Sequence, residues 1–343
     1  MEKLRTNAQH QPAVCTPRFF SFVTQKIINT LLDRLGIHSN NRALKALQNQ
    51  SLLKSGFTPT YFMTLGNFLN FQAKLRHSWS YSQSMLCVGL DPDLNRLPVG
   101  IARTSLGIES FCIEIVKATA EFACAFKPQI AYFSANRAEA ALENVIGAIR
   151  EYAPHATIIL DAKRGDIGST AAQYALEAFV RYQADAVTLN PYMGSDSISP
   201  YQDYPDRGLF LLCRTSNPGG NDLQFMQTQQ GQPLYQLVAQ LACTDWNKNQ
   251  QNGLVVGATY PSEIKIIRQL TGDLPLLVPG IGAQGGNLQK TVANGLCSQR
   301  WGLLINSSRD IIFKSGESNF ASVASHEAKQ LRDAINQAKH NTI

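Results

Sequence analysis

Short apolar runs alternate with longer amphipathic stretches along the chain from residue 85 onward. A buried run followed by a helical pattern is typical of a strand-helix unit in a parallel sheet. Eight runs are strand candidates: 85–90, 123–127, 157–160, 186–189, 209–213, 254–256, 276–278 and 303–305. Helical patterns lie between them, at 108–121, 135–152, 170–183, 233–247, 261–270 and 288–294.

Eight such units in about 260 residues match a (β/α)8 TIM barrel, which typically has about 250 residues. A doubly wound open sheet is the alternative, but it usually has fewer strands and a glycine-rich turn after the first strand. Here the first strand candidate ends in Val88-Gly89-Leu90-Asp91-Pro92, which is not such a turn. The pattern therefore predicts an α/β fold of the (β/α)8 barrel type.

Residues 1–62 have a different composition, rich in Asn, Gln, Ser and Thr. One amphipathic helix is indicated there, because apolar residues recur every four positions at Phe19, Val23, Ile27, Leu31 and Leu35. We predict an N-terminal extension over 1–62 and a barrel domain over 63–343, with Met63 as a second possible start. The helix is either a targeting or membrane-surface segment or part of a loosely packed extension.

The composition excludes a disordered or fibrous chain, since 44% of the residues are hydrophobic. The longest apolar runs are far shorter than the roughly 20 residues of a membrane-spanning helix. Seven cysteines show neither a CxxC pair nor zinc-ligand spacing. We predict reduced core cysteines in a cytoplasmic protein, at Cys15, Cys87, Cys112, Cys124, Cys213, Cys243 and Cys297.

The net charge of +6 is unevenly distributed. Residues 1–80 contain ten Lys or Arg against two acids, whereas the remaining residues contain 21 against 23. Nucleic-acid binding by a folded body requires a basic surface on that body. We therefore predict no nucleic-acid partner and no membrane partner for the barrel.

Polar residues follow seven of the eight strand candidates, and barrel active sites lie where the strands end. A single charged strand end is usually a solvated loop residue, but seven argue for a site. These residues are Asp91, Lys127, Asp161, Lys163, Asn190, 214–217, 280–284 and 306–309.

The most informative segment is Asp161-Ala-Lys163-Arg-Gly-Asp166. In extended backbone Asp161 and Lys163 share a face, which we expect to be the barrel mouth. Lys127 follows a buried-type run, and burial of a lysine is costly unless it is paired. An alternating Lys-Asp-Lys-Asp array is the functional interpretation, and a salt-bridge network at a helix start is the structural one.

Several motifs in this order resemble the orotidine 5′-phosphate decarboxylase family. They are Phe126-Lys127-Pro128, 160–170 (LDAKRGDIGST) and 279–286 (PGIGAQGG). Two more, 190–194 (NPYMG) and 215–219 (TSNPG), resemble the longer bacterial subgroup. The resemblance covers approximately residues 65–320 and says nothing about residues 1–62.

The resemblance implies decarboxylation of orotidine monophosphate (OMP) to UMP, the last step of UMP synthesis, by a homodimer with no metal or organic cofactor. It implies that Lys163 is the proton donor to C6 and that Asp161 faces the departing carboxylate. Lys127 and Asp166 hold the array in register, and Asp166 and Thr170 reach the partner subunit's site.

The resemblance also implies a set of substrate-binding residues. Asp91 and Lys127 bind ribose hydroxyls, and Ser216 contacts the pyrimidine. The phosphate is bound by the side chains of Gln284 and Arg309 and by backbone N–H groups around Gly282 and Ser308. No substrate role is assigned to Asn190, which suits a plain turn, and Arg164 suits a surface or interface position.

Three other functions remain as alternatives. Metal-dependent decarboxylases and aldolases of the same superfamily share the DxKxxD segment, but they carry an acid where this chain has Lys127. A Schiff-base aldolase could use Lys163 or Lys127. A catalytically silent barrel could bind RNA or anionic lipid through its basic N-terminus, although the intact array argues against silence.

Overall fold

Eight parallel strands form a closed barrel in sequence order, so the predicted (β/α)8 fold is confirmed. The computed structural model describes residues 70–281 and 286–342. The barrel closes through pairing of β1 with β8, in which Cys87 lies opposite Asn306. The strands are β1 (Leu86–Leu90), β2 (Ala125–Pro128), β3 (Thr157–Arg164), β4 (Ala186–Leu189), β5 (Gly208–Arg214), β6 (Asn252–Val256), β7 (Leu276–Pro279) and β8 (Leu303–Ser307).

Helices connect successive strands and surround the barrel. The α-helices are α1 (Phe71–Ser82), α2 (Ser105–Thr119), α3 (Ile130–Ser134), α4 (Glu139–Tyr152), α5 (Gly168–Leu176), α6 (Asn221–Gln224), α7 (Leu234–Cys243), α8 (Pro261–Thr271), α9 (Leu288–Gly295), α10 (Arg309–Ile312) and α11 (Phe320–His340). Short 3-10 segments are Leu94–Arg96, Pro191–Ser197, Ser199–Asp203 and Pro218–Gly220.

Local sequence signals fix several helix starts. The Thr104 hydroxyl accepts a hydrogen bond from the Gly107 N–H at 3.2 Å and caps α2. The Asn287 side chain does the same for α9 through the Lys290 N–H at 2.9 Å. Helix α8 begins with Pro261, whose missing N–H costs nothing at the first helical position. These three signals set the first residue of α2, α8 and α9.

A buried charge cluster lies at the amino end of β4. The Asp185 carboxylate is fully buried and accepts hydrogen bonds from Lys74 Nζ at 2.8 Å and Arg150 Nη2 at 2.7 Å. Its second oxygen accepts the Ile158 N–H at 2.8 Å. One acid thereby links α1, α4 and β3 at the end of the barrel where the strands begin.

A buried arginine lies at the same end of the barrel. Arg268 donates to the backbone carbonyls of Gly295 at 2.8 Å, Leu274 at 2.7 Å and Gly302 at 3.1 Å. It has no carboxylate partner among the described residues. It fastens α8 to the segments that lead into β7 and β8.

Some local predictions differ from the structure. The helix predicted over 170–183 starts earlier, and after α5 it continues as a π-helical turn, Glu177–Arg181. Cys87, Cys112, Cys124 and Cys213 are buried, as expected. Core placement is wrong for Cys243 and Cys297, which lie on the outer layer, at the end of α7 and after α9. All six described cysteines are free thiols.

The residues outside the described ranges include several positions singled out in the sequence. The helix predicted at 19–35, Met63, Cys15, Gly282 and Gln284 all lie there. None of the described helices is both long and apolar enough to cross a bilayer.

Candidate active site

The carboxylate of Asp161 is the centre of a polar cluster at the carboxyl end of the barrel. Its Oδ2 accepts a hydrogen bond from Lys127 Nζ at 2.7 Å. Its Oδ1 accepts one from Lys163 Nζ at 2.5 Å and another from the Thr188 hydroxyl at 2.9 Å. Strands β2 and β3 therefore contribute the ion pairs Lys127–Asp161–Lys163, and β4 adds the hydrogen bond from Thr188.

The two lysines of this chain differ in their access to solvent. The Lys127 side chain is 6% exposed and the Asp161 side chain 9% exposed, whereas Lys163 is 45% exposed. The buried pair fixes the position of the carboxylate. Of the two lysines that pair with Asp161, Lys163 is thus the one that a ligand can reach.

Burial and pairing act in opposite directions on the charged pair. Burial alone would lower the pKa of Lys127, but the charges of Asp161 and Asp91 outweigh it and the pKa lies above its usual range. Burial alone would raise the pKa of Asp161, but the two ammonium groups hold that pKa well below its usual range. Both groups are therefore charged at neutral pH.

The backbone at Lys163 is not extended, contrary to the argument made from alternation. Its φ is 47°, in the left-handed region, and the pairing of β3 with β4 shifts register between Leu160 and Arg164. The Thr188 hydroxyl accepts the N–H groups of Ala162 at 3.0 Å and Lys163 at 2.9 Å. The two side chains meet because of this bulge and its threonine support, not because the strand is regular.

Unpaired polar atoms line the adjoining ends of β1 and β8. The Oδ1 atoms of Asp91 and Asn306 and the Oγ of Ser308 are buried and have no hydrogen-bond partner among residues 70–281 and 286–342. Gly89 leaves room for two of them, because a Cβ there would lie 2.8 Å from Ser308 Cβ and 3.2 Å from Asn306 Oδ1. Buried acceptors without partners are costly, so this wall is suited to a ligand with hydroxyl donors.

Asp166 and Thr170 lie beyond the end of β3. Asp166 is partly exposed, and its Oδ1 accepts the N–H of Ile167 at 2.8 Å. Within the described part of the chain it makes no ion pair with Lys127 or Lys163. Thr170 is exposed near the start of α5. A single chain thus brings together three of the four members of the predicted array.

Ser216 and Arg309 follow β5 and β8. Ser216 is half-buried and lies against Gly257, where a Cβ would come within 2.8 Å of its backbone nitrogen. Arg309 is exposed and is the first residue of the short helix α10, directly after Ser308. Both residues are at the carboxyl end of the barrel. Of the predicted site residues, Gly282 and Gln284 lie outside the described ranges.

Two residues with supporting roles were not identified as such in the sequence. Thr188 lies in β4, two positions before Asn190. Its hydrogen bond to Asp161 follows from the pairing of β3 with β4 and cannot be seen in the sequence. Arg214 was counted among the polar strand ends, but its side chain is fully buried. No sequence signal distinguishes a buried strand-end arginine from an exposed one.

Asn190 and Arg164 have structural contacts. The Asn190 side chain accepts the N–H of Tyr192 at 3.1 Å, as a turn-capping residue does. Arg164 pairs with Glu177 at 2.8 Å and stacks on Tyr174 at 4.3 Å from the ring centroid.

Within the described ranges, no group of three or more His, Cys, Asp or Glu side chains is arranged to hold a metal ion.

Comparison with known proteins identifies the family. Residues 84–321 match the model of the orotidine 5′-phosphate decarboxylase / HUMPS family. The chain is 56% identical over 272 residues to orotidine 5′-phosphate decarboxylase of Cupriavidus necator and 57% identical to that of Bordetella avium, covering 79% of this chain and 100% of each relative.

A solved structure, that of Leishmania donovani OMP decarboxylase, superimposes with a TM-score of 0.69 at 38% identity, covering 79% of this chain and 99% of that one. The fold, the family match over more than half of the chain and these full-length relatives agree. The chain belongs to the orotidine 5′-phosphate decarboxylase / HUMPS family.

Proposed function

We propose that the chain decarboxylates orotidine 5′-monophosphate to UMP in pyrimidine synthesis, without a metal or organic cofactor, and that Lys163 is its proton donor. The supporting observation is the Lys127–Asp161–Lys163 ion-pair chain, in which only Lys163 is accessible. The relatives named OMP decarboxylase support the substrate. Loss of OMP absorbance in the presence of the purified protein tests the proposal.

The chemistry requires a cation next to C6 of the pyrimidine. When the bond from C6 to the carboxylate breaks, CO₂ leaves and the electron pair stays on C6, where it cannot delocalise into the ring π-system. The Lys163 ammonium stabilises this developing charge and then transfers a proton from Nζ to C6. The amine regains its proton from solvent, so atoms and charge balance over the cycle.

Asp161 and Lys127 prepare that cation. Asp161 faces the departing carboxylate and fixes Lys163 through the bond at 2.5 Å. Lys127 keeps Asp161 ionised and in place, because it is buried beside it. Asp91 binds ribose hydroxyls together with Lys127, and its unpaired buried Oδ1 supports this role.

The phosphate is bound at the loops after β7 and β8. Arg309 supplies the positive charge, Gln284 a side-chain contact, and Gly282 and Ser308 backbone N–H groups. The exposed position of Arg309 at the carboxyl end of β8 supports this assignment, because barrels frequently bind phosphate there. Ser216 contacts the pyrimidine. Binding energy from the remote phosphate can then assist the chemical step.

The active unit is a homodimer in which Asp166 and Thr170 enter the partner subunit's site. Asp166 makes no ion pair with the lysines of its own chain among the described residues. Exposed apolar side chains lie on and beside α5 and on the segment Pro191–Ser197, which α5 contacts. These side chains suit burial against a second copy and are Ile167, Leu176, Val180, Tyr192 and Met193.

Two alternative functions, a metal-dependent enzyme and a Schiff-base aldolase, can be distinguished from the proposed one. The first is distinguished by the residue at position 127 and the second by chemical trapping of a lysine. Metal-dependent relatives of the superfamily carry an acid where this chain has the buried cation Lys127, which repels a divalent metal. A Schiff-base enzyme would be trapped at Lys163 or Lys127 by borohydride in the presence of a carbonyl substrate. We expect no trapping.

We place catalysis in residues 63–343 and leave residues 1–62 as an extension outside the site. Every proposed site residue lies downstream of Met63, which supports this division. The decarboxylation assay applied to a chain beginning at Met63 tests it.

A cytoplasmic location is consistent with the six free thiols of the described cysteines, and fractionation of cells tests that location.

A further inference from the structure

Arg214 is a fully buried cation that has no acidic partner among the described residues. It is the last residue of β5, at the carboxyl end of the barrel, and its exposed fraction is 0%. None of the carboxylates in the described ranges forms an ion pair with it. Burial of an uncompensated guanidinium is costly, so its surroundings must provide what a carboxylate would.

Polar atoms of the loop that follows β5 accept hydrogen bonds from the two terminal nitrogens of the guanidinium, whereas Nε is buried without a partner among the described residues. Nη2 donates to Asn221 Oδ1 at 2.8 Å, and Nη1 donates to Gln224 Oε1 at 3.0 Å and to the Thr215 carbonyl at 3.2 Å. The Gln224 side chain also binds Thr215. Its Oε1 accepts the Thr215 N–H at 3.0 Å, and its Nε2 donates to the Thr215 hydroxyl at 2.8 Å. The loop therefore closes on itself around Arg214.

Two aromatic rings complete the site. The guanidinium carbon lies 3.7 Å from the ring centroid of Tyr260 and 4.7 Å from that of Phe225. Phe225 belongs to the loop after β5, whereas Tyr260 immediately precedes α8 in the connection after β6. Cation–π contacts are stronger when both groups are removed from water. Arg214 therefore joins two neighbouring loops of the barrel mouth.

Ser216 lies inside this closed loop. Its neighbour Thr215 is bound by both Arg214 and Gln224. Gly257, in the connection after β6, packs against the backbone of Ser216, since a Cβ at Gly257 would lie 2.8 Å from the Ser216 nitrogen. The main chain of Arg214 contributes as well, because its carbonyl accepts the Gly257 N–H at 2.7 Å. The position of Ser216 thus depends on how Arg214 holds Thr215 and Gly257.

We infer that Arg214 is a positioning residue for pyrimidine recognition, acting through Ser216. The inference rests on the proposed contact between Ser216 and the pyrimidine. We define the Arg214 latch as Arg214 with Asn221, Gln224, Phe225 and Tyr260. The latch holds the loop after β5 against the connection after β6, so that the Ser216 side chain is in place before the substrate arrives.

Adjacent glycines allow a test that leaves the charge of Arg214 unchanged. A Cβ at Gly220 would lie 2.9 Å from Arg214 Nη1, Gln224 Oε1 and Thr215 Oγ1, so Gly220→Ala must displace the ends of these side chains. A Cβ at Gly219 would make only ordinary contacts, at 3.5 and 3.7 Å, so Gly219→Ala is the matched control. Gly220 has φ −56°, which alanine adopts without strain.

Arg214→Met and Arg268→Met form the second matched pair. Both remove a buried guanidinium without an acidic partner, but Arg268 lies at the opposite end of the barrel. We expect Arg214→Met and Gly220→Ala to weaken UMP binding at least tenfold by calorimetry while ribose 5-phosphate, which lacks the base, binds within twofold of wild type. Arg268→Met should lower the melting temperature and leave both affinities unchanged.

The outcomes separate this inference from the proposed function. If wild-type protein fails to decarboxylate OMP, the proposed function fails, whereas the two binding measurements still test the latch. The inference is overturned if Gly220→Ala binds UMP as Gly219→Ala does, or if UMP and ribose 5-phosphate lose affinity equally. If Arg214→Met does not fold, the comparison of the two glycine variants decides alone.

Discussion

Asp161 and Asp185 lie at opposite ends of two adjacent strands, and each forms ion pairs of 2.8 Å or less with two cationic side chains. Asp161 is near the carboxyl end of β3 and pairs with Lys127 and Lys163. Asp185 directly precedes β4 and pairs with Lys74 and Arg150, with Arg207 farther away at 3.7 Å. Both clusters consist of a carboxylate paired with cations, but only the Asp161 cluster lies at the carboxyl ends of the strands, where barrels bind ligands.

Lys163 and Lys74 are therefore a matched pair for mutation. Lys163→Ala should lower kcat for OMP by about 10⁴-fold or more, because in the proposed mechanism Lys163 is both the proton donor and the cation beside C6. Its melting temperature should change little, since Lys163 is 45% exposed. Lys74→Ala should lower the melting temperature and retain kcat. Near-wild-type turnover of Lys163→Ala would remove Lys163 from the proton-donor role.

Asp185 makes folding stability depend on pH. Burial would raise its pKa, but Arg150 and Lys74 hold that pKa below its usual range. The carboxylate therefore stabilises the fold above the unfolded pKa of about 3.9, and this stability is lost as pH falls through the lower folded pKa.

We expect Asp185→Asn to lower the free energy of unfolding at pH 7 by about 3 kcal/mol and to flatten its decline below pH 4. Urea unfolding across pH 2–7 measures both. Asp333→Asn is the control, because Asp333 belongs to an exposed ion pair with Lys329 that solvent screens. An unchanged acid dependence in Asp185→Asn would show that the Asp185 cluster does not stabilise the fold.

The phosphate assignment is tested with ligands that differ only in the phosphate. Arg309→Ala should weaken UMP binding by about 10- to 100-fold and leave uridine binding unchanged, since only UMP carries the dianion. Arg300→Ala is the matched control, because Arg300 precedes β8 and donates to the Thr342 carbonyl at 2.8 Å. Equal losses for UMP and uridine would place Arg309 outside the phosphate site.

Mixing inactive chains tests whether Asp166 acts in the partner's site. If Asp166 acts across the dimer as proposed, a mixed dimer of Lys163→Ala and Asp166→Ala has one site with both lesions and one site with neither. Random 1:1 reassortment makes half of the dimers mixed, so activity should recover to about a quarter of wild type. Lys163→Ala mixed with Asp161→Asn should recover nothing, because both residues act within one chain. No recovery in the first mixture would place Asp166 in its own chain's site.

The periodicity of the sequence predicts the barrel well because each strand-helix unit is local. All eight strands were located, although β3 extends four residues beyond the predicted 157–160. The site is only partly predictable for the opposite reason. The left-handed backbone of Lys163 depends on Thr188, a residue of the next strand, and the burial of Arg214 depends on Tyr260, 46 positions later. Such contacts between distant segments leave no trace in spacing.

We propose above that this chain decarboxylates OMP without a metal. The most direct measurement follows OMP absorbance with the purified full-length protein, with and without EDTA, and quantifies UMP at the end of the reaction. We predict that OMP is consumed with an equal amount of UMP formed, at the same rate in both samples. Absence of OMP consumption, or a rate abolished by EDTA and restored by Mg²⁺, would contradict the account.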